Sequence, residues 1–212
     1  MRRLLPLLLL AASCSSAEEI PEGAGEGLIR WDRTTPAGAE SFGRPEWTVG
    51  DRFVYESGDW LELDLRVVEV SDERIVLEEV QSGARQILDH DLGVLGQEVD
   101  GDEDATRVNA PADTMFQFPL WAGKRWAVEY LSKRPGEEPI PFLVEYHCDV
   151  VETLSLPVGE LRCLRIWRTA KVNLDREYQD RTTVYWYSPE VGYFVQRLEN
   201  GVLLSLREAH RQ

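Results

Sequence analysis

Several residue classes are scarce in this 212-residue chain, and each scarcity removes a kind of chemistry. Its three histidines, His90, His147 and His210, are too scattered for a spaced zinc motif. In Asp89-His90-Asp91 adjacent side chains would point to opposite faces of a strand. No G-x-S-x-G elbow, P-loop or dinucleotide glycine motif is present, and no nearby histidine could activate Ser188, so an enzyme is not expected. The acidic stretch Asp100-Gly101-Asp102-Glu103-Asp104 lacks the remainder of a calcium loop, since Pro111 stands where the twelfth-position Glu belongs. It reads as a solvated loop, and neither metal nor cofactor is expected. Positive charge is short, with 23 Lys and Arg against 38 Asp and Glu and a net charge of −15. Such a polyanion repels phosphate backbones and anionic bilayer surfaces, so nucleic acid is not an expected partner. Long apolar runs are missing too: Leu4 to Ala12, broken by Pro6, is about nine residues, against about 20 for a membrane-spanning helix.

What is present begins at the N-terminus. Arg2 and Arg3 precede that apolar run, and small residues lead into Cys14, the layout of a signal peptide over residues 1–13. The stretch Leu10-Ala11-Ala12-Ser13-Cys14 resembles the bacterial lipoprotein signal, in which an apolar run ends in Leu, two small residues and a Cys. Ala11 stands where Leu is usual, with Leu10 one position earlier. The resemblance implies a diacylglycerol thioether on Cys14, cleavage before it and acylation of the new terminus, since stable anchoring takes more than one chain. Ser15, in place of the Asp that retains such proteins at the inner membrane, implies a lipid anchor in the bacterial cell envelope, on the periplasmic face of the outer membrane. An ordinary secretory leader is the residue-level alternative.

Residues 14–45 are rich in Ala, Glu, Gly, Ser and Pro without periodicity, and are expected to form a flexible tether with an exposed Trp31. From residue 46 to 210 short alternating runs are separated by turn residues. This predicts an all-β or strongly β-rich domain, an antiparallel curved sheet, half-barrel or sandwich. Leu61, Leu63, Leu65 and Val67 alternate with charged residues, as do Val144, Tyr146, Cys148 and Val150. Each run loses phase at a doubled valine, Val67-Val68 and Val150-Val151, where a β-bulge is expected. Leu161 to Val172 and Thr182 to Tyr187 are strands, and Tyr193–Glu199 joins Val202–Arg207 through Asn200-Gly201, a type I′ hairpin signal. The chain reads as two related halves, 46–105 and 115–210. Trp47-Thr48-Val49-Gly50-Asp51-Arg52-Phe53 answers Trp121-Ala122-Gly123-Lys124-Arg125-Trp126, the doubled valines answer each other, and Asp91-Leu92-Gly93 answers Glu190-Val191-Gly192.

With Cys14 assigned to the lipid, Cys148 and Cys163 remain. A tight hairpin at Pro157-Val158-Gly159 sets Cys163 opposite Glu152 and Cys148 opposite Trp167, about 13 Å out of register. A bulge would change that register, so a disulfide and two buried thiols both stay open. The sequence Leu156-Pro157-Val158-Gly159-Glu160-Leu161 followed by Tyr185-Trp186-Tyr187-Ser188-Pro189-Glu190-Val191-Gly192 resembles an uncharacterised family of β-rich bacterial envelope proteins. That family carries a V-P-A-G-T-F turn and a Y-W-Y-S-P-E-x-G segment, and is distantly like the half-barrels that carry lipoproteins across the periplasm. The resemblance implies a sheet and no particular activity. Numerous aromatics could line a concave face, and Trp126, Trp167 and Trp186 are the candidates to meet a ligand. The expected function is a membrane-anchored, non-enzymatic binding or assembly module of the envelope, meeting another envelope protein. The alternative is a periplasmic carrier holding a hydrophobic ligand in a curved-sheet cavity.

Overall fold

The computed structural model describes residues 25–58, 61–102, 105–174 and 177–212, and Cys14 and its signal lie outside them. Thirteen strands are formed and, among the described residues, no helix. They are β1 (Gly27–Trp31), β2 (Arg52–Ser57), β3 (Leu61–Val70), β4 (Ile75–Glu79), β5 (Arg85–Leu88), β6 (Val94–Glu98) and β7 (Arg107–Asp113) in the first part. There follow β8 (Arg125–Lys133), β9 (Ile140–Leu156), β10 (Gly159–Leu174), β11 (Glu177–Ser188), β12 (Tyr193–Glu199) and β13 (Val202–His210). From β2 onward every strand pairs antiparallel with the next, and β13 returns to pair with β2. The predicted antiparallel sheet is therefore a closed, twelve-stranded up-and-down barrel, and among the described residues closure leaves only the short β1 as an edge strand.

The expected tether is corrected from Gly27 onward. Gly27 to Trp31 is a strand on β8, with Trp31 beside Trp126, and Phe42 is buried by a reciprocal backbone bridge to Leu120. These residues escape a periodicity search because β1 is five residues long and lies at an edge. Trp31 packs against the core with Arg33 4.5 Å over its ring, and is not a loose surface residue. On β8 the strand β1 covers Trp126 to Glu129, while β7 holds the same edge only through Val108, Asn109 and Ala110 against Lys133, Ser132 and Leu131.

Both expected bulges occur. In β3 the register to β4 skips Val68, which turns outward while Val67 is fully buried. In β9 the register to β10 passes from Cys148 to Val151 against Ile166 and Leu164. Asn200 and Gly201 adopt φ of 51° and 79°, as a type I′ turn requires, and Leu198 stands opposite Leu203.

The related segments occupy matching places in two runs of six strands, β2–β7 and β8–β13. Before β2, Gly50 N–H donates to Val67 and Val67 N–H donates to Asp51, each at 2.8 Å. Before β8, Gly123 N–H donates to Cys148 and Cys148 N–H donates to Lys124, again at 2.8 Å. The bulges fall in the second strand of each run, and the Leu92-Gly93 and Val191-Gly192 turns lead into the fifth.

The matching Asp51 and Lys124 are both buried, with opposite charge. Asp51 accepts from the Thr48 and Gln212 amides and pairs with Arg211 at 3.0 Å. Lys124 Nζ donates to the Gln117 and Pro119 carbonyls at 2.5 and 2.7 Å and sits 4.4 Å over the Trp121 ring. Burial lowers its pKa to about 8.

An aromatic cluster plugs this end of the barrel. Trp47 packs on Phe53 and Tyr193, and Phe116 on Tyr187 and Phe118. The Trp47 indole donates to Gly192 at 3.1 Å. Gly192 has φ of 75°, and a Cβ there would lie 2.8 Å from Pro45, so the strap over the plug requires glycine.

Candidate functional site

The other end of the barrel is not filled. A cavity of about 440 Å³ occupies the lumen there and reaches the ends of β4, β7 and β12, where Glu79, Arg107 and Glu199 line it. Its volume is in the range of small-molecule sites. The lining is mixed. Leu65, Leu77, Val94, Met115 and Phe194 supply apolar surface, while Arg107, Arg168, Arg181 and Arg197 bring positive charge inward. In a chain of net charge −15 this basic lining is a local reversal of sign.

Alternation explains which residues reach the lumen. On β10 the bulge turns Ile166, Arg168, Ala170 and Val172 inward, and on β11 Tyr185 and Tyr187 are buried on the same side. Trp167 and Trp186 are consequently outside, which overturns their assignment as ligand-facing residues. Trp167 is 40% exposed with its indole 3.3 Å from Asp149, and Trp186 donates to Glu152 at 2.8 Å. The third candidate, Trp126, points inward but is consumed by packing. It stacks on Tyr146 at 4.9 Å and donates to the Thr114 carbonyl, and it does not line the cavity.

One wall of the cavity is a buried polar network that composition and motif searches did not single out. Asp113, near the turn after β7, accepts from Tyr146 at 2.6 Å, Arg168 Nη2 at 2.9 Å and Tyr130 at 3.3 Å. Arg168 Nε also donates to the Tyr146 hydroxyl at 3.1 Å. Burial pushes the Tyr130 and Tyr146 phenols far up, so both remain hydroxyl donors. Desolvation opposes the charge of Arg168, but Tyr146 and Asp113 beside it outweigh that, and the guanidinium stays charged. Three of its five N–H groups are engaged by these bonds; Nη1 has no partner among the described residues.

Beside Arg168 stand Tyr185 and Arg197, directly opposite each other on β11 and β12. Tyr185 is 8% exposed and Tyr193 1%; both line the cavity, and neither hydroxyl donates to a described residue. Burial raises the Tyr185 pKa while Arg168 and Arg197 act to lower it. The mouth acids are occupied. Glu79 accepts from the Gln81 and Ser82 amides, and Glu199 contacts Thr183 at 3.4 Å and Arg197 at 3.7 Å.

The remaining expected residues do not gather into a site. His147 lies on the outer face opposite Trp167, His210 ends β13 with Glu208 3.7 Å away, and His90 sits in the β5–β6 turn. Among the described residues no three His, Cys, Asp or Glu side chains converge as metal ligands; Glu103 and Asp104 of the acidic loop lie outside them. Ser188 is buried where β11 ends, on the plugged side. Cys148 and Cys163 are buried free thiols. The bulge moves Cys148 opposite Ile166, still about 10 Å along β10 from Cys163, too far for a bridge.

The geometry defines a β-barrel plugged at one end, with a ligand-sized lumen at the other. Its fold is similar to that of a hypothetical lipoprotein, YmcC, from Escherichia coli K12, with 9% identity, a TM-score of 0.48, and coverage of 77% of this chain and 88% of that one. A second similarity is to an exported protein of YmcC-like fold from Bacteroides fragilis, with 12% identity, a TM-score of 0.43, and coverage of 81% and 100%. No protein-family profile and no curated protein matches the chain. Neither structural likeness carries a residue or a role over to it.

Proposed function

We propose that this chain is a lipid-anchored protein of the bacterial cell envelope that holds a small, partly apolar ligand in its barrel lumen. The cavity of about 440 Å³ is the observation that carries this reading. It moves the choice from assembly module to binding or carrying, because a purely structural barrel of this width would fill its lumen at the density of other protein interiors. Binding without reaction suits the lumen's chemistry. Its buried carboxylate, Asp113, accepts from three donors within the wall.

The anchor supports a carrier. Ten residues, 15–24, separate Cys14 from Gly25, and Gly25 lies beside Ala110 and Leu131, on the cavity side of the short β7–β8 contact. Ten residues span at most about 35 Å. The tether therefore keeps the open end near the bilayer, and lipid rather than charge does the holding.

Two measurements test the proposal together. A Cys14→Ser variant loses radiolabelled acyl incorporation and moves from the membrane to the soluble fraction still folded; persistent membrane attachment overturns the anchor. Native mass spectrometry of that soluble variant finds a co-purified small molecule, or a dansyl-labelled fatty acid binds one site per chain. Failure of both would overturn the lumenal reading.

A further inference from the structure

We infer that the wall formed by Arg168, Tyr185 and Arg197 receives the anionic head, a carboxylate or phosphate, of a single-chain amphiphile whose tail lies on the apolar floor. The inference rests on the lumenal binding proposed above and specifies its ligand. Three adjacent strands present these groups inward, Arg168 from β10, Tyr185 from β11 and Arg197 from β12. Arg168 is held in place by Asp113, Tyr130 and Tyr146, so its Nη1 edge is preorganised, and ordering it costs little when an anion arrives. The Tyr185 hydroxyl, on the cavity wall and opposite Arg197 across β11 and β12, is a donor that no described residue uses.

A neutral ligand offers the free Nη1 edge of Arg168 and the Tyr185 hydroxyl only weak acceptors, whereas an anionic oxygen satisfies them with charge-assisted bonds. The volume sets the tail. A space of about 440 Å³ equals roughly fifteen water-sized volumes of about 30 Å³ each, which suits one short chain with its head and excludes a two-chain phospholipid. Glu199, 3.7 Å from Arg197 Nε, is the carboxylate that competes for the same guanidinium.

The test is calorimetric titration of the soluble Cys14→Ser protein with dodecanoate, dodecyl phosphate, dodecanol and inorganic phosphate. Tyr185→Phe removes one oxygen and keeps the ring, and Arg197→Gln removes one charge. Each is expected to weaken the two anionic amphiphiles about tenfold, to leave dodecanol unchanged, and so to show that the fold is intact. Glu199→Gln is expected to tighten the anions. Preference between dodecanoate and dodecyl phosphate identifies the head. Equal affinity for dodecanol and both anions, unaffected by the variants, overturns the head-group assignment and leaves the lumenal reading standing. Inorganic phosphate binding as tightly as dodecyl phosphate overturns the amphiphile. If none of the four binds, the lumenal reading itself falls.

Discussion

At the scale of single residues the barrel uses buried charge at four places, and each charge has an identifiable counterweight, Arg52 at 2.6 Å in the case of Asp64. Asp51 is neutralised by Arg211 and two amides, Lys124 by two carbonyls and the Trp121 face, and Asp113 by Arg168 and two phenols. The buried thiols have no such partner. Burial pushes Cys148 and Cys163 each up to about 12, so the folded chain retains protons that the unfolded chain gives up from about pH 9. Their stabilisation is complete below that pH and disappears as the pH rises toward 12. The lowered Lys124 acts in the opposite sense between about 8 and 10.5, with one group against two. The urea midpoint should therefore fall between pH 9 and pH 10.5, where two thiols act against one amine, and with Cys14 replaced a thiol reagent should find no cysteine in the native protein and two in denaturant. A native disulfide would leave none in denaturant.

At the scale of elements, the strand that matters most is the one whose sequence looks least like a strand. β1 covers the length of β8 that β7 abandons, so the β7–β8 seam is closed by three residue pairs and by a segment from the N-terminal side of the barrel. Removing the chain through Trp31 should cost about 2–4 kcal/mol, the partial burial of Leu28 and Trp31. It should also speed hydrogen exchange at the Ala127 and Glu129 amides, which share with Arg125 the β1 side of β8. Unchanged protection there would show that β1 is an ornament. By contrast, the elements with strong local signals form where alternation and turn chemistry place them. Tyr193–Glu199, Asn200-Gly201 and Val202 onward give the hairpin, and the doubled valine at Val67-Val68 gives the bulge. Those signals are legible because they depend on neighbours two to four residues away.

At the scale of the whole molecule, two sets of six strands close one barrel, and neither set closes alone. β2 needs β13 and β8 needs β7, so fragments 46–105 and 115–210 expressed separately should aggregate or stay unfolded, while the intact chain should unfold in one transition by both near- and far-ultraviolet circular dichroism. Independent folding of either fragment would refute this. The sequence by itself determined that the chain is β-rich and antiparallel and where its bulges and best hairpin fall, because these follow from side-chain period and local turn geometry. Only the tertiary structure decided that the sheet closes, since closure rests on β13 meeting β2 some 150 residues apart and no local pattern encodes that meeting. It also decided the candidate site. Trp167 and Trp186 look like ligand residues until the bulge in β9 fixes the phase of β10 and turns them outward, and Asp113, Arg168, Tyr185 and Arg197 look unremarkable until four strands bring them around one cavity.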